Sequence, residues 1–393
     1  MKYFIWKFNP KIIKLPNSKN ITYVVPKSKS EYYKTFSNVL YVTTVNFKEV
    51  YHALKNVDLS NIEDVFTLDE ECMDWVGVLK SILIPIANSN SNFLFKDKYF
   101  MRSVLQNVVA QPEFTNLDVN NINNIFYSDS LAKPRNSDSA KGIIRFQKQI
   151  EPHKLMNQQD YIGNNTYMVE EFVDYDKMFT VDGYTDFQGH ERFFSHEYNS
   201  KISDFSSTGF LTLHTNSFYY TNLEKLQRLF MLSKKVLLCL ASSNEIVPFH
   251  LEWFYSTKRD QFIFTEVGKR FGGAKIPELI RYSFNIDILK EYWALQENNL
   301  VNLNYKIKPE NFIPKQCSTT YMQFQNGKQL TRSLEKYIPN KLAYNEYFDV
   351  NVKSIPARSI SDVLFSTQYH SKSVSESNKI ASKINSIFKQ YEV

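Results

Sequence analysis

The sequence predicts a mixed α/β protein built from three lobes. Three observations carry that expectation. The chain has 393 residues, too many for one typical hydrophobic core. Short β-branched and aromatic runs alternate with amphipathic segments along its length, the pattern of interleaved strands and helices. Its 43% apolar, 22% charged and 15% aromatic residues describe an ordinary globular chain in which disorder is not expected.

In the first lobe, Asn38 to Val45 is a compact β-branched and aromatic run read as a strand, and Phe47 to Val57 follows with helical composition. A second helix is expected over Asp69 to Ile84, where Cys72, Trp75, Leu79 and Ile82 recur on one face. The lobe ends near the polar stretch Asn88 to Asn92. Asp97 then stands as the N-cap of a helix carrying Phe100, Met101, Val104, Leu105 and Val108. From Ile125 the pattern turns towards sheet. Ser130 to Pro134 and Gly142 to Phe146 are extended runs flanking the polar loop Arg135 to Lys141. Tyr167 to Val173 and Met178 to Tyr184 read as two strands. A helix from Leu223 to Ala241 opens on a Thr221/Glu224 capping box and presents Leu226, Leu229, Phe230, Leu237 and Leu240. Ile246 to Tyr255 and Gln261 to Val267 make a hairpin around Ser256 to Asp260. Beyond about Asn304 come scattered strand-like pieces and a last helix, capped by Ser373 and Glu376, with Ile380, Ile384, Ile387 and Phe388 on one face. The boundaries expected are 1–95, 96–300 and 301–393.

Only ten residues are glycine, where average usage of about 7% would give nearly three times as many. No G-x-G-x-x-G and no G-x-x-x-x-G-K-[ST] occurs, so a dinucleotide fingerprint and a P-loop are both unsupported. Gly268, Gly272 and Gly273 nevertheless fall within six residues of one another. The 47 basic residues stand against 41 acidic ones without a long basic run, which argues against a nucleic-acid partner. Cys72, Cys239 and Cys317 are too far apart for a disulfide framework or a C-x-x-C zinc site. Met1 to Lys14 has no apolar stretch of signal-peptide type, and runs such as Val236 to Ala241 fall far short of the roughly 18 residues that span a bilayer. A cytoplasmic protein without a membrane partner is expected.

The hairpin carries the chemistry. Alternation puts Phe249, Leu251 and Trp253 on one face of its first strand and His250 and Glu252 on the other, and it gives Glu266 the face of Phe262 and Phe264. A five-residue loop, Thr257 to Gln261, sets Glu252 directly across from Glu266 with Cβ atoms roughly 5 Å apart; a four-residue loop puts them on opposite faces. Facing carboxylates in a half-buried sheet need a raised pKa or a cation, and Mg²⁺ is held by one or two carboxylates together with substrate phosphates. The plainer alternative is a solvated glutamate paired with Lys or Arg. Arg270 then offers a five-donor fork for a carboxylate or phosphate, and Gly272 with Gly273 lets a bulky ligand approach the backbone. Together these residue types describe a nucleotide-phosphate site outside the P-loop class, with an acceptor that is also anionic.

Over roughly Val39 to Phe284 these residues resemble the ATP-grasp superfamily, in particular its carboxylate-amine ligase branch. His250-Leu-Glu-Trp and Thr265-Glu-Val-Gly-Lys-Arg-Phe-Gly-Gly are similar to that branch's paired metal-binding glutamates with the arginine and glycines that follow. Phe95-Lys-Asp-Lys-Tyr-Phe-Met-Arg resembles the helix start after the first lobe, and Ala132-Lys-Pro-Arg through Lys141-Gly142 resembles the lysine strand and phosphate-covering loop. Met168 to Val173, with Val181-Asp-Gly after it, resembles the adenine hinge and the next strand. The resemblance implies an ATP-grasp fold with an N-terminal α/β lobe, a central ATP-binding lobe and a C-terminal mixed lobe. It implies that Lys98 and Lys133 neutralise ATP phosphates and contact the adenine edge, with Lys141 in the covering loop, although each lysine taken alone is more often a solvated surface charge. Glu170, Glu171 and Val173 would form the hinge, and Asp176 would contact the ribose, although Lys177 stands close to where the family has glutamate. Glu252 and Glu266 would hold Mg²⁺, Arg270 would clamp the acyl phosphate or the substrate carboxylate, and Gly272, Gly273, Asp182 and His250 would border the substrate, with His196 and Glu197 further out in the acceptor pocket. Two departures stand out: the covering loop has a single glycine, and Gly268 occupies the place where the family often has an asparagine ligand. The implied activity is ATP-dependent amide-bond formation between small-molecule carboxylate and amine substrates, free or carrier-bound, through an acyl phosphate. A non-catalytic ATP-binding protein is the alternative, and an exposed aromatic patch would favour a homodimer.

Overall fold

The computed structural model describes residues 1–57, 62–84, 90–117, 129–137, 140–146, 167–202, 208–242, 245–298, 308–347, 349, 351–357 and 359–393. Three sheets organise these residues. The first is parallel, in the order β3-β2-β1-β4, from β1 (Lys2–Ile5), β2 (Ile21–Pro26), β3 (Val39–Val42) and β4 (Asp64–Thr67). As in parallel sheets generally, both of its faces are covered. Tyr3, Ile5, Val24 and Val65 pack with Val50 and Leu54 of α1 (Phe47–Leu54) and with Val76, Leu79 and Leu83 of α2 (Met73–Leu83). Phe4 and Tyr23 face a larger core. Sequence periodicity did not reveal β1, β2 or β4, because a short strand buried on both sides has no apolar/polar alternation. The α2 face is also turned by one residue from expectation: Val76 and Leu83 are buried, while Ile82 is 48% exposed.

The second sheet is small and antiparallel, in the order β5-β8-β6-β7, from β5 (Phe114–Asn116), β6 (Ser130–Pro134), β7 (Ile144–Phe146) and β8 (Tyr167–Glu171). It follows α3 (Asn90–Leu94) and α4 (Lys98–Val104). Asp97 caps α4 as expected, accepting from the Tyr99 and Phe100 amides at 3.0 and 3.2 Å. The helix stops at Val104, and it buries Met101 and Arg102 instead of Phe100 and Val104. In the loop between β6 and β7, residues 138 and 139 lie outside the described set. Gly142 adopts φ +73°, and a Cβ there would stand 3.0 Å from Pro134, so this single loop glycine is needed on both counts.

The third sheet has eight antiparallel strands in the order β13-β12-β9-β10-β11-β14-β16-β15. They are β9 (Lys177–Thr185), β10 (Glu191–Tyr198), β11 (Phe210–Thr215), β12 (Val247–Ser256), β13 (Gln261–Gly268), β14 (Cys317–Phe324), β15 (Lys341–Glu346) and β16 (Val363–Ser371). The pairing of β11 with β14 makes the C-terminal strands an extension of the same sheet. After α5 (Phe218–Thr221), α6 (Leu223–Leu240) packs Leu226, Leu229, Phe230, Leu237 and Leu240 into the core. Its cap is Asn222, which accepts from the Lys225 amide at 3.0 Å. The expected Thr221 has instead turned its hydroxyl to the Ser217 carbonyl. Next come α7 (Ile276–Phe284) and α8 (Ile288–Gln296), the latter bringing Trp293 onto Phe4 at 5.2 Å between ring centres. The last helix, α9 (Val374–Tyr391), is capped by Ser373 and packs Ile380, Ile384 and Phe388 against Tyr321, Phe365 and Tyr369 of the sheet. Among the described residues no helix is long and apolar enough to cross a membrane.

The hairpin reaches its register by an unexpected route. Ser256 pairs with Gln261, so the turn has four residues, yet Glu252 still stands opposite Glu266. A β-bulge makes the difference: Trp253 pairs with Phe264 and Glu252 with Glu266, leaving Thr265 as the extra residue. The bulge also reverses the expected face of Glu266, which points away from Phe262 and Phe264; those rings pack against Tyr255 and Trp253 on the core side. Arg102 fixes the bulge, because its guanidinium donates to the carbonyls of Phe264 and Thr265 at 3.2 and 2.9 Å. Arg102 is 1% exposed and also pairs with Glu170 at 2.7 Å. Replacing it (Arg102→Met) leaves that carboxylate with Lys133 as its remaining partner and bares the bulge carbonyls, and is expected to cost about 3 kcal/mol. Urea midpoints will measure this loss, and the R102M/E170Q double variant is expected to lose less than the two singles added together.

Candidate functional site

Glu252 and Glu266 face each other across two neighbouring strands, on the side of the sheet turned away from the Trp253–Phe264 pair. Three cations converge on them. Lys98, at the start of α4, places Nζ 3.5 Å from Glu266 Oε2 and also donates to the Ser137 carbonyl. Lys133, on β6, is buried and paired with the Glu170 carboxylate. Arg270 follows β13. Burial alone would raise the Glu266 pKa, but Lys98, Lys133 and Arg270 hold its carboxyl below the usual range. The Glu266 carboxylate is therefore kept ionised by its surroundings.

This donor set fits a hard divalent cation. It offers two oxygen ligands on one face and, among the described residues, no group of three or more His, Cys, Asp or Glu side chains able to hold a metal alone. Mg²⁺ is bound in that way when phosphate oxygens and water complete its shell.

Behind Glu252 lies a second chain of charges. His250 Nε2 is 3.4 Å from Glu252 Oε1, and His250 Nδ1 is 2.7 Å from Asp182 Oδ1. The register of β12 with β9 puts His250 directly beside Asp182. Asp182 also accepts from Thr180 Oγ1 at 2.7 Å, and His196 Nδ1 lies 3.7 Å from its other side. Burial would raise the Asp182 pKa, yet His250 and His196 bring it down to about 2; burial would lower that of His250, yet Asp182 and Glu252 raise it to about 10. The expectation that Asp182 borders a substrate is corrected by its 1% exposure. Asp182 contacts His250, whose other ring nitrogen faces Glu252. Gly272 also has a different role from the one expected. A Cβ there would stand 2.5 Å from Asp182 Oδ1 and 2.7 Å from His250 Nδ1, so its missing side chain makes room for this ion pair and not for a ligand. Gly273 has nothing within 4 Å of a Cβ position.

The remaining candidates spread around this centre. Glu170 is 4% exposed and shared between Lys133 and Arg102, which leaves no oxygen turned towards an adenine. Glu171 is exposed, Val173 is half-buried, and Ser137 Oγ donates to the Lys141 carbonyl. Asp176 is exposed at the turn end of the hairpin, where its carboxylate accepts from the Thr257 amide at 2.6 Å. Glu197 stands apart, paired with Lys177 at 2.7 Å and bonded to Ser217. Two residues that contact the site were given no role in the sequence reading. Arg102 closes the Phe95-Lys-Asp-Lys-Tyr-Phe-Met-Arg motif but was given no role there, since an arginine in a helix resembles a surface charge. Glu70, which pairs with Arg270, follows β4 at the strand end where ligands of parallel sheets bind; recognising β4 would have exposed it.

No protein-family model matches the sequence, and no curated protein matches it. Solved structures do resemble the whole chain. An L-amino acid ligase from Bacillus licheniformis superposes with a TM-score of 0.74 at 14% identity, over 98% of this chain and 96% of that one. A carboxyaminoimidazole ribonucleotide synthase from Aspergillus clavatus, complexed with ATP, gives 0.71 at 11% identity over 99% and 98%. Phosphoribosylglycinamide synthetase from Anaerococcus prevotii gives 0.61 at 12% over 100% and 98%. The chain has the ATP-grasp fold.

The Asp182–His250 pair predicts a specific pH response. The His250 pKa is raised on folding, so its contribution to stability is complete below about 6.5 and is lost as pH rises towards about 10. Asp182→Asn is expected to lower stability near neutral pH by about 3 kcal/mol and to flatten the decline between pH 7 and 10. Urea midpoints measured across that range test both.

Proposed function

We propose that the chain is an ATP-dependent carboxylate-amine ligase, which joins an acid to an amine through an acyl phosphate and releases ADP and phosphate. One observation carries this reading: Glu252 and Glu266 oppose each other within a ring of Lys98, Lys133 and Arg270. The fold supports it, since it is shared with an L-amino acid ligase and with a ribonucleotide synthase complexed with ATP.

In this reading Glu252 and Glu266 hold Mg²⁺, whose charge when bound offsets that of the phosphoryl oxygens. Lys98 and Lys133 bind the phosphates of ATP, and Lys141 approaches them from the covering loop. Glu171 and Val173 present the hinge to the adenine, and Asp176 lies towards the ribose. Glu170 contributes by placing Lys133. The substrate carboxylate attacks the γ-phosphorus in line and ADP leaves, giving the acyl phosphate. The amine nitrogen then attacks the acyl carbon, phosphate departs and the amine loses its proton. Arg270 steadies the anionic oxygens in both steps, and no enzyme nucleophile is required. His250, held by Asp182, keeps Glu252 aimed at the centre. The same reading takes the enzyme as cytoplasmic, with lobes at 1–95, 96–300 and 301–393, small-molecule substrates that are free or carrier-bound, and a homodimer as the assembly to test.

A second reading, a non-catalytic ATP-binding protein, draws on Gly268, which supplies no further cation ligand. It predicts ATP binding without turnover for any acid and amine. The ligase reading predicts ADP release that needs both. Glu266→Gln is expected to cut that release by on the order of 10²–10³ in protein whose circular dichroism spectrum shows that it still folds. ADP release unchanged in this variant would sink the assignment.

A further inference from the structure

Arg270 follows β13 between two anchored neighbours. Phe271 packs edge-on against Tyr292, with 5.2 Å between ring centres. Lys269 runs to α3, where its ammonium, which has three donors, meets three partners: the Glu245 carboxylate, Asn92 Oδ1 at 2.7 Å and Ser91 Oγ at 3.3 Å. Glu245 is held in turn by the Ser242 amide, which donates to it at 2.8 Å. Burial would raise the Glu245 pKa, but Lys269, Ser91 and the Ser242 amide hold it low. Asn92 is 6% exposed and uses its other end as well, since Nδ2 donates to the Met73 carbonyl at 3.0 Å. The orientation of this amide is forced, because a carbonyl can only accept and an ammonium can only donate.

Asn92 thereby touches the chain on both sides of one ion pair. Met73 opens α2 three residues after Glu70, across a turn closed by the Cys72 amide on the Asp69 carbonyl at 3.0 Å. Lys269 directly precedes Arg270. Glu70 accepts from Arg270 Nε, and Arg270 Nη1 donates to the Phe271 carbonyl at 3.1 Å. Among the described residues no hydrogen bond engages Nη2, so that nitrogen is left to an incoming anion. Its aim depends on where the backbone of Arg270 is held. The glycines around it add no hold: a Cβ at Gly268 would meet only Arg270 itself, and one at Gly273 would meet nothing within 4 Å. That task falls to Lys269 and Phe271. An amide suits the link from Lys269 to Met73, because it accepts at one end and donates at the other without a charge. A carboxylate in its place loses the donor.

We infer that Asn92 is a positioning residue: by joining Met73 to Lys269 it sets Glu70 against Arg270, and with that the aim of the guanidinium nitrogen left for the anionic substrate. Its effect on turnover rests on the ligase reading, so the deciding measurement needs no turnover. Two variants of the full chain each cut one end of the link. Asn92→Asp keeps the acceptor for Lys269 and loses the donor to Met73, and Lys269→Met does the converse. The coupling between Glu70 and Arg270 is measured by urea unfolding of Glu70→Gln, Arg270→Gln and the double variant, in the wild-type chain and again in each of these two backgrounds. It is expected to fall by more than half in both. A merely structural Asn92 lowers every midpoint and leaves the coupling as it was, and that result overturns the inference. Asn92→Ser, which shortens the link, replaces any background whose circular dichroism spectrum shows no fold. The kinetic arm combines calorimetric titration with Mg-ADP and ADP release from Mg-ATP, using the pair among the twenty amino acids that wild type turns over fastest. In Asn92→Asp, kcat/KM for the acid is expected to fall by on the order of 10²-fold, the effect of a misplacement of about 1 Å, while the affinity for Mg-ADP is unchanged. In a Glu70→Gln chain the same substitution is expected to add little, because the pair it positions is already broken. Equal losses in the two chains overturn the inference. Absence of ADP release with every pair counts against the ligase reading, and the coupling measurement then decides the role of Asn92 by itself.

Discussion

The guanidinium of Arg102 joins the edge of the eight-stranded sheet to the small sheet, and the register of the site follows from that contact. A four-residue turn by itself leaves Glu252 and Glu266 on opposite faces, since a slip of one residue reverses every side chain. The bulge at Thr265 restores them to one face, and Arg102 stabilises the bulge by donating to the carbonyls of Phe264 and Thr265. The same cation commits Glu170, which in turn holds Lys133. A residue that touches neither glutamate therefore sets both the position of one and the cation above it.

Beyond Arg102 the site is a network of alternating charges. Asp182 faces His250, His250 faces Glu252, Glu266 is held by Lys98, and Arg270 is held by Glu70. Such a network costs desolvation energy to assemble, and removing a single member leaves an uncompensated charge. In return, each donor and acceptor of the network is held in place before any ligand binds. Glycine is used sparingly in this network. Gly272 seals the Asp182–His250 pair, and the crowding there tolerates no methyl group.

Much of this was legible in the sequence, and the exceptions have physical causes. The hairpin, α6, α9 and the Asp97 cap were readable because each has a one-sided apolar face or a local cap. β1, β2 and β4 were not, because strands covered on both faces carry no alternation. The pairing of Glu252 with Glu266 was expected for a reason that the structure replaces: a shorter turn and a bulge give the register that a longer turn was taken to give. A bulge held from outside the strand by Arg102 leaves no local trace. Glu70 and Arg270 lie far apart in sequence, and only the packing of the first lobe against the large sheet joins them.

The pairing of β11 with β14 has a consequence for the order in which the chain comes into being. About fifty residues separate the end of β13, which completes the half of the sheet bearing Glu252 and Glu266, from the start of β14. At synthesis rates of about 5–20 residues per second, that half spends roughly 2–10 seconds complete but for a neighbour, with β11 as an open edge. Unpaired strand edges invite association with other chains. The last part of the chain therefore does more than enlarge the sheet: β14 closes that edge, and α9 covers the apolar face that β14 and β16 bring with them.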